Sequence, residues 1–113
     1  MKREQRLTQS EQFRKVYTQG KSWVNDLLVM KAVPNGLEHT RFGFSVSKRV
    51  GKAVLRNRVR RVLRECIRLT PCKPGWDVVF IARSPASEAG YHRLNSTVDK
   101  LIRRANLREQ LQD

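Results

Sequence analysis

Residues 41–69 read RFGFSVSKRVGKAVLRNRVRRVLRECIRL, and this stretch decides the fold. Its first part alternates. Phe42, Phe44 and Val46 point one way, and Gly43, Ser45 and Ser47 the other, which predicts a strand over Arg41–Ser47 with one apolar face. The pattern then changes to a helical period, predicting a long helix from Ala53 to Leu69. Pro71 and Pro74 prevent that helix from continuing. Trp76–Ala82 follows as a nearly continuous apolar run, the pattern of a strand covered on both faces. Strand, helix and strand in this order place a helix against a sheet.

Working outward, Thr8–Gln19 predicts a short helix. Thr8 and Glu11 have capping-box spacing, Ser10 competes as N-cap, and Gly20 is the stop. Phe13, Val16 and Tyr17 share one face of it. Lys21–Val24 and Leu27–Val33 read as strands, the second interrupted only by Lys31, and Pro34-Asn35-Gly36 marks a turn. Arg83–Gly90 reads as a loop. Tyr91–Ala105 forms the last helix, with Leu94, Val98, Leu101, Ile102 and Ala105 at core spacing. The order is α-β-β-β-α-β-α, which predicts an α+β fold, a two-layer α/β sandwich of about four strands with a central arginine-rich helix. Residues 1–113 form a single domain, with residues 1–7 and 107–113 expected to be mobile.

The chain has 113 residues, enough for one core. A transmembrane helix needs about 20 consecutive apolar residues, and the longest unbroken apolar run is Val78–Ala82. Two cysteines are too few for a disulfide scaffold. Cys66 reads as a buried thiol and Cys72 as a loop thiol, both suited to a reducing cytoplasm. The charged N-terminus has no apolar stretch of a secretory signal. With 24 Lys and Arg against 10 Asp and Glu, the formal charge is +14, and a polyanion is the natural partner.

The charge is concentrated. Lys48, Arg49, Lys52, Arg56, Arg58, Arg60, Arg61, Arg64 and Arg68 fall within 21 residues that hold one acid, Glu65. At about 100° per residue, Leu55, Val59, Val62, Leu63, Cys66 and Leu69 form an apolar arc. Arg60, Arg61, Arg64 and Arg68, with Asn57, form the opposite one. Repeated like charges at i, i+4 destabilise a free helix by a few tenths of a kcal/mol each. A solvated helix face would intersperse acids; this one is built for phosphates. Arginine suits bidentate phosphate contacts.

Arg41-Phe-Gly-Phe-Ser-Val-Ser-Lys48, Val50-Gly51-Lys52-Ala53-Val54, Arg56-Asn57-Arg58-Val59-Arg60-Arg61 and Arg64-Glu65 resemble the signature of the bacterial ribonuclease P protein subunit. The resemblance spans nearly the whole chain. It takes in Arg6-Leu7, Phe13, Val16-Tyr17, Gly20-Lys21-Ser22, Asn25, Asp77-Val78-Val79 and Ala82-Arg83-Ser84-Pro85-Ala86. It implies a left-handed strand–helix–strand connection, against the roughly 98% right-handed rule. It also implies a large catalytic RNA as partner and hydrolytic removal of the 5′ leader of precursor tRNA. The active site and its magnesium ions would belong to the RNA, with no cofactor bound by the protein. The protein would bind the RNA and the leader and strengthen metal binding by the RNA. No membrane and no stable protein partner is implied.

The residues fit that division. No paired carboxylates suggest a protein-held metal, and His39 and His92 read as surface histidines rather than general bases. Hence no catalytic or metal-binding residue is expected in the protein. The RNA-binding residues are the nine cations named above with Asn57. A second site, a groove for single-stranded leader, is expected from Phe13, Tyr17, Lys31, Gly43, Ser45 and Ser47, since single strands are held by a basic track with aromatic platforms. Phe13 suits core or groove equally, and Tyr17 suits the rim. The resemblance places the leader cleft between the first helix and the sheet. Lys31 stands where many members carry an aromatic, so a more electrostatic grip is expected there. The competing reading is a general RNA-binding or ribosome-associated structural protein; charge and size suit it as well, and only the extended motif argues against it. A helix-turn-helix needs two adjacent helices, and a membrane-surface helix does not account for the strands.

Overall fold

Four strands carry the apolar runs into one sheet, and three helices cover it. A computed structural model describes residues 2–110. Its elements are α1 (Ser10–Gln19), β1 (Lys21–Val24), β2 (Leu28–Pro34), β3 (Arg41–Ser45), α2 (Ala53–Leu69), β4 (Trp76–Ala82) and α3 (Tyr91–Arg104). Short 3-10 turns occupy Arg3–Gln5, Lys48–Val50 and Ser84–Glu88, the last inside the segment expected to be a plain loop. The fold is thus α+β in the expected order. Strand order is β1-β2-β4-β3. β2 pairs antiparallel with β1 and β4, while β3 runs parallel to β4 across the α2 connection.

Boundaries shift where side chains intervene. α1 begins at Ser10 rather than Thr8, because the Gln12 side-chain oxygen accepts the backbone N–H groups of Thr8 (2.9 Å) and Gln9 (3.0 Å). β2 begins one residue late because the Asn25 side chain accepts the N–H groups of Leu27 and Leu28 in an Asx turn. Gly20 ends α1, but with φ −76° it needs no left-handed freedom. A Cβ there would lie 2.4 Å from the Val16 carbonyl oxygen and 3.1 Å from that of Ala32, so glycine is required by close approach of α1 to β2.

The main core lies between the sheet and the α2–α3 layer. Met30, Val78 and Phe80 from the sheet meet Val59, Leu63, Cys66, Leu94, Val98 and Leu101. A smaller cluster of Leu7, Val16, Val33 and Val79 lies under α1, with Phe13 and Ile81 at its edge. The anchoring arc of α2 differs from expectation. Leu55 (37%) and Leu69 (53%) are exposed, and Ile67 is buried in their place. The buried positions of α2 run from Val59 to Ile67, so its first and last leucines extend past the core. The chain ends also differ. Leu7 and Leu107, placed in segments expected to be mobile, are buried. The Leu7 N–H bonds the Phe42 carbonyl, and the Leu107 carbonyl accepts from the Lys73 N–H. Residues 1 and 111–113 lie outside the described residues.

One acid sits inside the β4 run. Asp77 is 2% exposed. Arg41 grips it with two parallel bonds, Nε to Oδ1 at 2.8 Å and Nη2 to Oδ2 at 2.7 Å, and Asn35 donates a third. The Asp77 carboxylate in turn holds the Arg41 guanidinium above its ordinary pKa.

Candidate nucleic-acid interface

An open groove of about 620 Å³ runs along the outer edge of β3. Thr8 and, from α1, Ser10, Phe13, Arg14 and Tyr17 supply one bank. The end of β3 and the residues after it supply the other through Phe44, Ser45, Val46 and Ser47, and Arg60 of α2 closes one side. Helical geometry builds the first bank: Ser10, Arg14 and Tyr17 recur at i, i+4, i+7, so they form one stripe. Phe13 and Tyr17, four apart, have ring centroids 6.4 Å apart and planes inclined at 39°.

Phe13 proves to be both core and groove. Its ring rests on Gly43, where a Cβ would fall 2.6 Å from the Phe13 ring. Gly43 is therefore the seat of the platform, buried rather than open to a ligand. Tyr17 is 39% exposed at the rim. Ser45 and Ser47 line the groove as expected. Lys31 does not. It shares the sheet face and the cross-strand row of Gly43 through Val79, but lies two strands away, about 10 Å at ordinary strand spacing. Thr8, Ser10, Arg14, Phe44 and Val46 were not anticipated. The Ser10-Arg14-Tyr17 spacing carried a signal for the α1 residues; nothing in the sequence marked Phe44 and Val46, whose alternation reads as core.

The cations of α2 fall into four kinds. Arg61 and Arg64 are exposed, as are Lys48, Arg49 and Lys52 before the helix. None of these five pairs with an acid among the described residues. Arg60 is oriented: it donates to Asn57 Oδ1 at 3.0 Å and to the Val46 carbonyl at 3.4 Å. With Arg64 and Arg6 it also lines a smaller hollow of about 180 Å³ next to Phe13 and Gly43. The third kind does not face outward, although both its members stand among the expected RNA-binding residues. Arg58 turns inward to the carbonyls of Ser87 and Ala89. Arg56 is half-buried, its Nε enclosed without a hydrogen-bond partner. They lie at opposite flanks of the apolar arc, and on the Arg58 side the 84–89 turn draws the long side chain in. Arg68 is exposed but bound by Glu65, whose carboxyl it holds below the usual range.

Four acids are paired. Asp26, Glu65, Asp77 and Asp99 are each held by arginine. Among the described residues no three His, Cys, Asp or Glu side chains converge on a metal-sized site. His39 Nε2 lies 3.0 Å from the Glu4 carbonyl oxygen, and His92 stands edge-on to Tyr91. Neither lines the groove. Burial pushes the Cys66 and Cys72 thiols up to about 11. Among the described residues no helix is long and apolar enough to cross a membrane.

Fold and surface together define a small α+β protein with a one-sided cationic helix beside an aromatic groove, a surface suited to polyanions. A family model described as Ribonuclease P matches residues 1–106. The "Ribonuclease P protein component" of Dehalococcoides mccartyi is 47% identical over 107 residues, covering 95% of this chain and 89% of that protein. That of Caldanaerobacter subterraneus is 43% identical over 107 residues, covering 93% and 92%. The solved RNase P protein of Staphylococcus aureus superposes with a TM-score of 0.84 at 28% identity, covering 93% of this chain and 98% of the other. That of Thermotoga maritima gives 0.78 at 30%, covering 88% and 96%. The chain belongs to the ribonuclease P protein family, the protein subunits of a ribonucleoprotein endoribonuclease of tRNA processing.

Proposed function

We propose that the chain binds the catalytic RNA of ribonuclease P through α2 and the loop before it, and holds the 5′ leader of precursor tRNA in the groove between α1 and β3. It acts in the cytoplasm, a reading that its two free thiols suit. One observation carries this reading. The Phe13–Tyr17 platform faces Ser45 and Ser47 across a groove that runs directly into the cations of α2. Aromatic faces stack bases without strict sequence preference, and cations beside them follow the phosphates. Arg14 and Arg60 flank the platform, so a single strand laid there meets charge along its backbone and rings under its bases.

The chemistry of phosphodiester cleavage belongs to the RNA and its magnesium in this reading. The protein's residues bind and orient. Arg61, Arg64 and the cations before α2 neutralise RNA phosphates, and the leader grip holds the substrate in register. Lowering phosphate repulsion around the RNA lets it hold its compact fold at lower magnesium.

Single-turnover cleavage of a precursor tRNA at low magnesium tests this, comparing the RNA alone, the protein alone and both together. The expected result is efficient cleavage only by the combination. Cleavage by the protein alone, or no effect of the protein on the RNA, overturns it.

A further inference from the structure

The geometry points to Arg58 as a positioning residue that shapes the cationic loop ahead of α2, rather than as a contact to RNA. This rests on the reading of that loop as an RNA surface. Arg58 closes the Arg56-Asn57-Arg58 run, where charge alone suggests a phosphate ligand. Its guanidinium is turned the other way. Nη2 donates to the Ala89 carbonyl at 2.9 Å and Nη1 to the Ser87 carbonyl at 3.4 Å. Both acceptors belong to the end of the 84–89 turn, which Ala86 (0%) and Ala89 (2%) fasten into the main core. A planar fork spanning two carbonyls is a contact lysine cannot reproduce.

The clamped turn touches the loop that matters. The Ser84 hydroxyl donates to the Arg49 carbonyl at 3.4 Å, and the Lys48–Val50 and Ser84–Glu88 turns pack against each other. Lys48, Arg49 and Lys52 are exposed and unpaired among the described residues; their turn is anchored at one end by the buried Val50 and by its short backbone bonds, and the Ser84 contact holds its middle. The chain of support therefore runs from Arg58, through the 84–89 turn, to the backbone of Arg49. Arg58 is the only member of it that spans from α2 to the turn through a charged side chain.

The test uses the full chain with the catalytic RNA and compares Arg58→Ala, Arg58→Lys, Arg49→Ala and the double variant, with Arg61→Ala as an outward-facing control. If Arg58 positions the loop, amide exchange in residues 84–89 and 48–51 of the free protein rises about tenfold or more in Arg58→Ala. Arg61→Ala leaves it unchanged. Arg58→Lys behaves like Arg58→Ala, although it keeps the charge. RNA binding weakens on the order of tenfold in Arg58→Ala, but much less when Arg49 is already alanine, because the two losses are one. Additive losses in the double variant with unchanged exchange at 84–89 overturn the inference and make Arg58 a direct phosphate contact. Unchanged RNA binding in Arg49→Ala instead removes the reading of the loop as an RNA surface, and the positioning role with it. Circular dichroism of each variant separates these results from global unfolding, and Arg58→Lys carries the comparison if the alanine variant unfolds.

Discussion

Val79 and Phe80 are neighbours on β4, both fully buried, and they face opposite worlds. Phe80 points into the core sealed by α2 and α3, where Phe44 stacks on it with centroids 6.3 Å apart. Val79 points toward α1, a ten-residue helix too short to roof the whole sheet. Beyond it the edge of β3 stays open, and there the groove lies. The sealed face supplies stability; the partly covered face spends some of it on a surface. Function sits where the sheet is incompletely covered, and the rigid face behind holds it in place.

The largest effect that would sharpen this contrast is Phe80→Ala. A fully buried aromatic lost from a core without room to collapse costs about 3–5 kcal/mol. Urea unfolding of the variant should show that loss, and a cost near that of a surface substitution would erase the distinction between the faces. Gly43→Val comes next. Its side chain collides with the Phe13 ring, an overpacking worth about 1–3 kcal/mol. Because the displaced ring is the groove's platform, discrimination of precursor from mature tRNA should fall with stability, measured as the ratio of the two dissociation constants. Retained discrimination would show that Phe13 is core alone. Tyr17→Ala sharpens the contrast from the other side. At 39% exposure its removal should change stability by no more than about 0.5 kcal/mol, yet weaken precursor binding on the order of tenfold by losing one stacked base.

The fold was legible because each element has a clear period, and residues 41–82 switch from alternation to helical spacing and back. Boundaries slipped where a side chain replaced a backbone bond, at Gln12 and Asn25. The groove was legible in part. Phe13 and Tyr17 are marked by i, i+4 spacing, and Ser45 and Ser47 by alternation. Lys31, which only the resemblance assigned to the groove, lies on the groove's face of the sheet but two strands away, because β4 enters between β2 and β3 through tertiary pairing that no strand pattern records. The direction of Arg58 was illegible for a similar reason. Its partners are main-chain carbonyls some thirty residues on, and carbonyls leave no mark in a sequence. Asp77 shows the converse: an acid within an apolar strand is a visible anomaly, and its partner Arg41 stands opposite it in the parallel register.

The smallest effect concerns the fully buried thiol of the sealed face. Cys66 is wholly buried beneath α2, and burial pushes its pKa up to about 11. The native state thus holds this proton more tightly than the unfolded chain, where the ordinary value is about 8.5. Its contribution to stability is complete below that value and is lost as pH rises from there through about 11. Cys66→Val keeps the apolar volume and removes the titration. The variant and the parent should therefore unfold alike in their pH dependence up to about pH 8. Above it they should diverge, the parent losing stability faster while tyrosines and lysines titrate equally in both. Urea midpoints from pH 7 to 11 measure the difference. Parallel curves would mean that Cys66 ionises as freely as in the unfolded chain, which requires water at a face the packing closes, and the contrast between the two sides of the sheet would then fail where it is strongest.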